Sequence, residues 1–220
     1  DVVLGGTGGD LINFTVNAQG DKVPVGTDSG DDLIVGDNGF AVFDAMNGHS
    51  VLRKIETSDP DEGGGDFIFA GDGYDVVLGG SEGDLIDAGT DTSRDIVLGD
   101  NGLAKFGDRL TLFGTPKALL EIRTSAPGVG GDDEILVGGG PDVVLGGTGG
   151  DLINFTVNAQ GDKVPVGTAS GDDVIVGDNG FALFAAVNNQ PYSVLREIET
   201  SDPNEGGGDF IFAGDGYDVV

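Results

Sequence analysis

The chain contains no cysteine and no tryptophan, one histidine and one methionine. Its 10 lysines and arginines face 39 aspartates and glutamates. Without cysteine there is no disulfide framework and no thiolate metal site. The single histidine, His49, gives a Ser-His-Asp triad or a histidine metal site nothing to stand on. The formal net charge of −29 makes nucleic acid and anionic lipid unfavourable partners. No apolar run approaches the ~18 residues of a membrane-spanning helix, and no secretory signal pattern is visible. The glycine runs are not phosphate loops, because no Gly-Lys-Ser/Thr follows them and no helix is expected.

What the chain has in abundance is glycine, 43 of its 220 residues, and aspartate at regular spacing. GGTGGDLIN occurs at 5–13 and again, letter for letter, at 146–154. It has the form G-G-x-G-x-D-x-U-x, with U a bulky apolar residue. The sixth-position aspartate with Ile or Val two residues later recurs at Asp10, Asp32, Asp66, Asp75, Asp84, Asp95, Asp133, Asp142, Asp151, Asp173, Asp209 and Asp218. Consecutive nonapeptides fill 61–87, 128–154 and 204–220. The glycines at 5, 6 and 8, 71 and 73, 79 and 80, 138 and 139, and 146, 147 and 149 supply the turns, where positive φ and close backbone approach are needed. Each aspartate then opens a short strand whose middle side chain points inward. The expected inward set is Val3, Ile12, Ile34, Ile68, Val77, Ile86, Val97, Ile135, Val144, Ile153, Ile175, Ile211 and Val220.

A longer repeat overlies the short one. DVVLGG starts at Asp1, Asp75 and Asp142, and DVV again at Asp218. The units are 1–74, 75–141 and 142–217, with 218–220 opening a further one. Residues 1–27 are identical to 142–168, while the second unit is a more distant relative. The chain begins and ends at the same phase of the repeat and reads as a window from a longer array, one continuous coil rather than separate domains.

Inserts interrupt the repeat. Long ones at 36–60, 99–127 and 177–203 read as two strands each, in unit one joined at Asn47-Gly48, a hairpin signal. Short ones, FTVNAQGDKVPV, lie at 14–25 and 155–166. Of the basic residues only Arg94 lies outside the inserts. The strands DVVL, DLIV, DFIF and DIVL are apolar on both faces, whereas a strand with one solvated face alternates. Phe67, Phe69, Phe210 and Phe212 would project outward, so either the inserts fold over an outer sheet face or copies pack side by side. Glu82 stands at a position where a turning glycine is expected. Asp59, Asp61 and Glu62 are either ligands or a solvated acidic loop. Asp37, Asp100 and Asp178, in the recurrent GDNG tetrads, are either ligands or turn residues.

On these residues the chain resembles the RTX (repeats-in-toxin, haemolysin-type) calcium-binding repeats of secreted bacterial proteins. The resemblance covers about half the chain. It implies an all-β fold, a calcium-binding parallel β-roll or β-solenoid with hairpin insertions. In that family calcium sits between turns two nonapeptides apart, held by sixth-position aspartates and glycine-turn carbonyls. Carried over, Asp66 and Asp84 flank one file of ions, as do Asp133 and Asp151, with Asp75 and Asp95 on the opposite side. On the order of ten ions is expected, at affinities in the ~10⁻⁴–10⁻³ M range of extracellular modules.

The implied function is a calcium-dependent structural segment of a large secreted or surface bacterial protein, an adhesin, surface-layer or filament component. It would associate end to end or side by side at the cell surface. One alternative is the secretion and folding module of an exported enzyme or toxin. Another is a carbohydrate-binding module using Tyr74, Tyr217 or the phenylalanines as platforms for a glycan. No enzymatic role is expected: a glycosidase-type carboxylate pair is conceivable among so many acids, yet each acid recurs with the repeat.

Overall fold

The computed structural model describes residues 1–25, 29–46, 48–107, 118–166, 170–187 and 193–220. Asn47, and residues 189–192 where the third unit diverges from the first, lie outside them. The described residues form an all-β protein of 22 strands, here numbered in chain order, with no helix.

Two six-stranded sheets are wholly parallel. The first runs β1 (Val2–Leu4), β5 (Leu33–Val35), β9 (Val76–Gly80), β11 (Ile96–Asp100), β15 (Val143–Gly147), β19 (Val174–Asp178). The second runs β2 (Leu11–Ile12), β8 (Phe67–Phe69), β10 (Leu85–Asp87), β14 (Glu134–Leu136), β16 (Leu152–Ile153), β22 (Phe210–Ile211). Apart from the inserts, the chain alternates strictly between these sheets, and each order rises steadily along the sequence. The register matches inward residues with one another, as in Ile34↔Val77 and Ile86↔Ile135. They close one core of Ile12, Ile34, Ile68, Val77, Ile86, Val97, Ile135, Val144, Ile153 and Ile175, with Val3 and Ile211 packed against it. The expected inward set is this core with one correction: Val220, which lies beyond the isolated Val174↔Val219 bridge, is 70 % exposed.

The long inserts, expected as two strands each, join into a third, antiparallel sheet: β6 (Gly39–Met46), β7 (His49–Thr57), β12 (Gly102–Phe106), β13 (Leu119–Thr124), β20 (Gly180–Ala186) and β21 (Ser193–Thr200). Hairpins of neighbouring units pair, β7 with β12 through Ala104↔Ile55 and β13 with β20 through Ile122↔Ala182. The architecture is therefore mixed, parallel in two sheets and antiparallel in the third.

This third sheet lies on the outer face of the first. Ile55, Ala104, Leu119, Ile122 and Ala182, all at 0 % exposure, pack with Val76, Leu78, Ile96, Leu98, Val143 and Leu145 in a second core. The first sheet is thus a middle layer, which explains why DVVL, DLIV and DIVL are apolar on both faces. On the outer face of the second sheet sit the short hairpins, β3 (Phe14–Val16) with β4 (Lys22–Pro24) and β17 (Phe155–Val157) with β18 (Lys163–Pro165). Phe14 meets Phe67 and Phe69 edge-on at 5.9 and 6.3 Å. Phe155 meets Phe210 and Phe212 at 5.9 and 6.5 Å. The Lys22 and Lys163 ammoniums sit 3.2 and 3.8 Å from the Phe67 and Phe210 ring centres. The insert-folding alternative accounts for these rings, although Phe210 stays 43 % exposed.

Candidate metal centre

Each turn between the parallel sheets ends on one of the recurrent aspartates, and the coil stacks them. The side chain is short, so its Oδ1 reaches the backbone N–H of the aspartate one coil earlier. Asp66 accepts from Asp10, Asp84 from Asp66, Asp133 from Asp84, Asp151 from Asp133 and Asp209 from Asp151, at 2.7 to 3.0 Å. On the other side Asp75 accepts from Asp32, Asp95 from Asp75, Asp142 from Asp95, Asp173 from Asp142 and Asp218 from Asp173, at 2.8 to 3.1 Å. Asp32 heads this ladder by accepting from the Asp1 ammonium. All twelve candidate aspartates fall into these two ladders. Asp66, Asp84, Asp133 and Asp151 share one side, with Asp75 and Asp95 opposite.

The second carboxylate oxygen is left over. Oδ2 of Asp10, Asp32, Asp66, Asp75, Asp84, Asp133, Asp142 and Asp151 is buried and has no hydrogen-bond partner among the described residues. In the first ladder it meets a glycine carbonyl. A Cβ built on Gly79 would lie 2.0 Å from both Asp84 Oδ2 and the Gly99 carbonyl oxygen. Over Gly5 the pair is Asp10 Oδ2 and Gly36 O, over Gly36 it is Asp66 Oδ2 and Gly79 O, and over Gly146 it is Asp151 Oδ2 and Gly177 O. Only a glycine leaves room for two oxygens there. Gly36, Gly99 and Gly177 were not among the candidate glycines. Their recurrence as the first residue of GDNG was the available signal.

The other candidate glycines play different parts. Gly80 and Gly147 lie against Asp37 and Asp100. Gly71, Gly73, Gly138 and Gly139 belong to the turns of the second ladder, Gly73 against the Gly30 carbonyl and Gly139 against Ser170. Gly149 abuts the Gly131 carbonyl, while Gly6 and Gly8 face open space. Glu82 does turn as glycine would, with φ +63°, a conformation that costs a side-chain-bearing residue ~1–2 kcal/mol. Asp59, Asp61 and Glu62 are exposed, as a solvated loop would be.

The tetrad aspartates are clamps. Asp37 Oδ1 accepts from Gly64 N–H at 3.1 Å and its Oδ2 from Ser81 N–H at 2.6 Å. Asp100 does the same with Gly131 at 3.0 Å and with Thr148, and Asp178 accepts from Gly207 at 2.9 Å. Asn101 and Asn179 donate to the Gly80 and Glu205 carbonyls at 3.1 Å. Both oxygens of Asp37 and Asp100 are thereby engaged by backbone amides, which ties neighbouring coils together.

Burial raises the carboxyls of Asp66, Asp75, Asp84, Asp95, Asp133, Asp142, Asp151, Asp173 and Asp209. Desolvation is the largest cause throughout, with neighbouring carboxylates adding to it and backbone hydrogen bonds opposing it. Asp66 and Asp75 are pushed up to about 7, Asp142 to about 7, Asp151 to about 8 and Asp95 to about 9. Asp84 and Asp133 are raised as well, with Asp66 and Asp84 respectively among the repelling charges. The ion pairs Arg53–Asp44, Lys54–Glu56, Lys105–Glu121 and Arg123–Glu121 all lie in the third sheet, away from the ladders.

Buried, paired-up carboxylates demand a proton or a cation. The orphaned Oδ2 atoms and the glycine cradles fit an oxygen-seeking divalent ion. Among the described residues no three His, Asp or Glu side chains gather closely enough to hold an ion by themselves. The first ladder instead brings one carboxylate and one carbonyl together per step, so backbone oxygens would complete the shell. No family description, no characterised protein and no solved structure matches the chain.

Proposed function

We propose that the chain is a calcium-dependent β-roll segment of a large secreted or surface bacterial protein, of the RTX type, acting as a structural element. The observation that carries this reading is the pair of aspartate ladders in which eight of the twelve second carboxylate oxygens are buried and unpartnered among the described residues. Five steps in one ladder and six in the other suit on the order of ten ions. Asp66, Asp84, Asp133 and Asp151, with the carbonyls of Gly79, Gly99, Gly146 and Gly177, would hold one file; Asp75, Asp95 and Asp142 would hold the other. Calcium there supplies the positive charge that the buried carboxylates lack. Metal-binding free energy then becomes folding free energy, so the chain folds where calcium is millimolar and stays open where it is scarce.

A glycan-binding role has less support, since Tyr74 is buried and Phe67, Phe69 and Phe212 pack against the short hairpins, leaving Tyr217 at 90 % exposure and Phe40, Phe43 and Phe210 at 40, 42 and 43 %. Far-UV circular dichroism of chelated protein, titrated with calcium and separately with magnesium, tests the reading. A coil-to-β transition near millimolar calcium and none with magnesium is expected. Full β structure in chelator, indifferent to calcium, would sink it.

A further inference from the structure

The third sheet has an outward face that nothing among the described residues covers. In β12, Gly102, Ala104 and Phe106 are buried while Leu103 and Lys105 are half-buried. In β13, Leu119, Ile122 and Thr124 are buried while Glu121 and Arg123 are not. In β20, Ala182 lies in the second core and Phe184 meets the Arg94 guanidinium at 5.4 Å, which turns Phe181 and Leu183 outward. The register sets these outward residues in two rows across the four central strands. One row is Glu56, Leu103, Arg123 and Phe181; the other is Lys54, Lys105, Glu121 and Leu183.

Two features of this face do not suit a surface left to water. Phe181–Phe184 is apolar on both faces, whereas a strand with one solvated face alternates. The same signature in the first sheet belongs to a covered layer. Lys54 also stands directly opposite Lys105, a like-charge pair that weakens a sheet. Within the chain Lys54 pairs with Glu56, while Glu121 is shared between Lys105 at 2.7 Å and Arg123 at 3.8 Å.

The charge distribution restricts what can cover the face. The six strands hold five basic residues, Arg53, Lys54, Lys105, Arg123 and Arg196, and five acidic ones, Asp44, Glu56, Glu121, Glu197 and Glu199. The third sheet is therefore neutral, and the whole net charge of −29 lies on the rest of the chain. Two copies meeting through the acidic turns bring like charges together. Through this sheet neutral meets neutral, and lysines of one copy can lie over glutamates of the other. Its strands are five to nine residues long. At ~4.8 Å between strands and ~3.4 Å per residue the face spans ~600 Å². A standard interface buries ~800 Å² per partner, so the pairing belongs to the weak class.

We propose that the outward face of the third sheet is a self-association surface, on which a second copy of this chain docks with its own third sheet about a two-fold axis. Leu103, Phe181 and Leu183 form the apolar centre. Lys54, Lys105 and Arg123, with Glu56 and Glu121, pair across the contact. The coils then lie side by side, with both parallel sheets and their ladders outside the interface.

The surface rests on the fold and not on which ion the ladders take. The test is sedimentation equilibrium of the chain in calcium, from ~10 to ~500 µM, the range of weak interfaces. Circular dichroism of each sample verifies β structure, so failure to fold is told apart from failure to pair. A monomer–dimer equilibrium is expected. Leu183→Glu should raise its Kd at least about tenfold, because a charge enters the apolar centre. Thr15→Glu adds the same charge at an exposed position of the short hairpin and should change Kd by less than about twofold, the scale of a lone exposed charge. End-to-end stacking of coils would respond to neither substitution. Folded protein that stays monomeric throughout, a dimer that Leu183→Glu leaves intact, or equal weakening by both variants would overturn the proposal.

Discussion

Replacing Asp151 by asparagine should stabilise the chain without calcium and leave its stability almost unchanged with it. The carboxylate is fully buried, its Oδ1 accepts from Asp133 N–H at 3.0 Å, and its Oδ2 lies beside the Gly177 carbonyl oxygen above Gly146. Asparagine keeps the Oδ1 acceptor and can donate its amide to Gly177. In chelator at pH 7.5 a carboxyl raised to about 8 is mostly protonated in the folded chain, and the substitution removes the cost of taking up that proton on folding. At ~1.4 kcal/mol per unit the shift from an ordinary aspartate corresponds to several kcal/mol. Allowing for relaxation, a gain of ~2–4 kcal/mol is expected. In 10 mM calcium the variant lacks one anionic ligand. A site with Kd near 10⁻⁴ M contributes ~2.7 kcal/mol at that concentration, which the variant forgoes, so the gain seen in chelator should shrink by that amount to within ~1 kcal/mol of zero. Urea unfolding followed by far-UV circular dichroism measures both, the chelated samples in a stabilising osmolyte. Equal destabilisation in both conditions would show that Asp151 is an ordinary hydrogen-bonding residue and that the ladder is no cation site.

Acid should replace calcium in part. Asp75 and Asp142 titrate near 7 and Asp173 near 6 in the folded chain, all above the ordinary aspartate value. A raised folded-state pKa gives stability that is full below the unfolded value, near 3.8, and is lost as pH rises through the folded one. β content in chelator should therefore fall between about pH 4 and pH 7, and a flat pH profile would contradict the buried-carboxylate account. Gly79→Ala should cost more than ~3 kcal/mol, because its Cβ would lie 2.0 Å from two oxygens. Gly6→Ala meets open space and should cost only ~1 kcal/mol, for its φ of +107°. Thermal melts in calcium compare the two. Ile55→Ala, which empties a fully buried site between the first and third sheets, should destabilise by ~2–5 kcal/mol; a loss below ~0.5 kcal/mol would show that the third sheet is not bound to the first.

The ladders were legible because their cause is local. A nine-residue unit fixes its own turn and strand, so Asp66, Asp84, Asp133 and Asp151 fall in line wherever the coil stacks. The inward set from Val3 to Ile211 follows from the same period. Gly36, Gly99 and Gly177 were missed because each opens an insert, where the nonapeptide breaks and its carbonyl role no longer shows in the letters. Asp37 and Asp100 stayed ambiguous for a related reason. Their partners, Ser81 and Thr148, lie 44 and 48 residues onward.

By itself the sequence determined an all-β chain, its alternation of turn aspartate and core residue, and the excess of acid over base. These are set by composition and short-range steric rules. Only the tertiary structure decided that hairpins of neighbouring units merge into a third sheet, because Ile55 meets Ala104, and Ile122 meets Ala182, across units. That pairing turns the first sheet into a middle layer and covers its outward valines and leucines, and it places Arg94 beside Phe184. No local period encodes such contacts; they arise when strands far apart in sequence bury apolar faces that neither can cover alone.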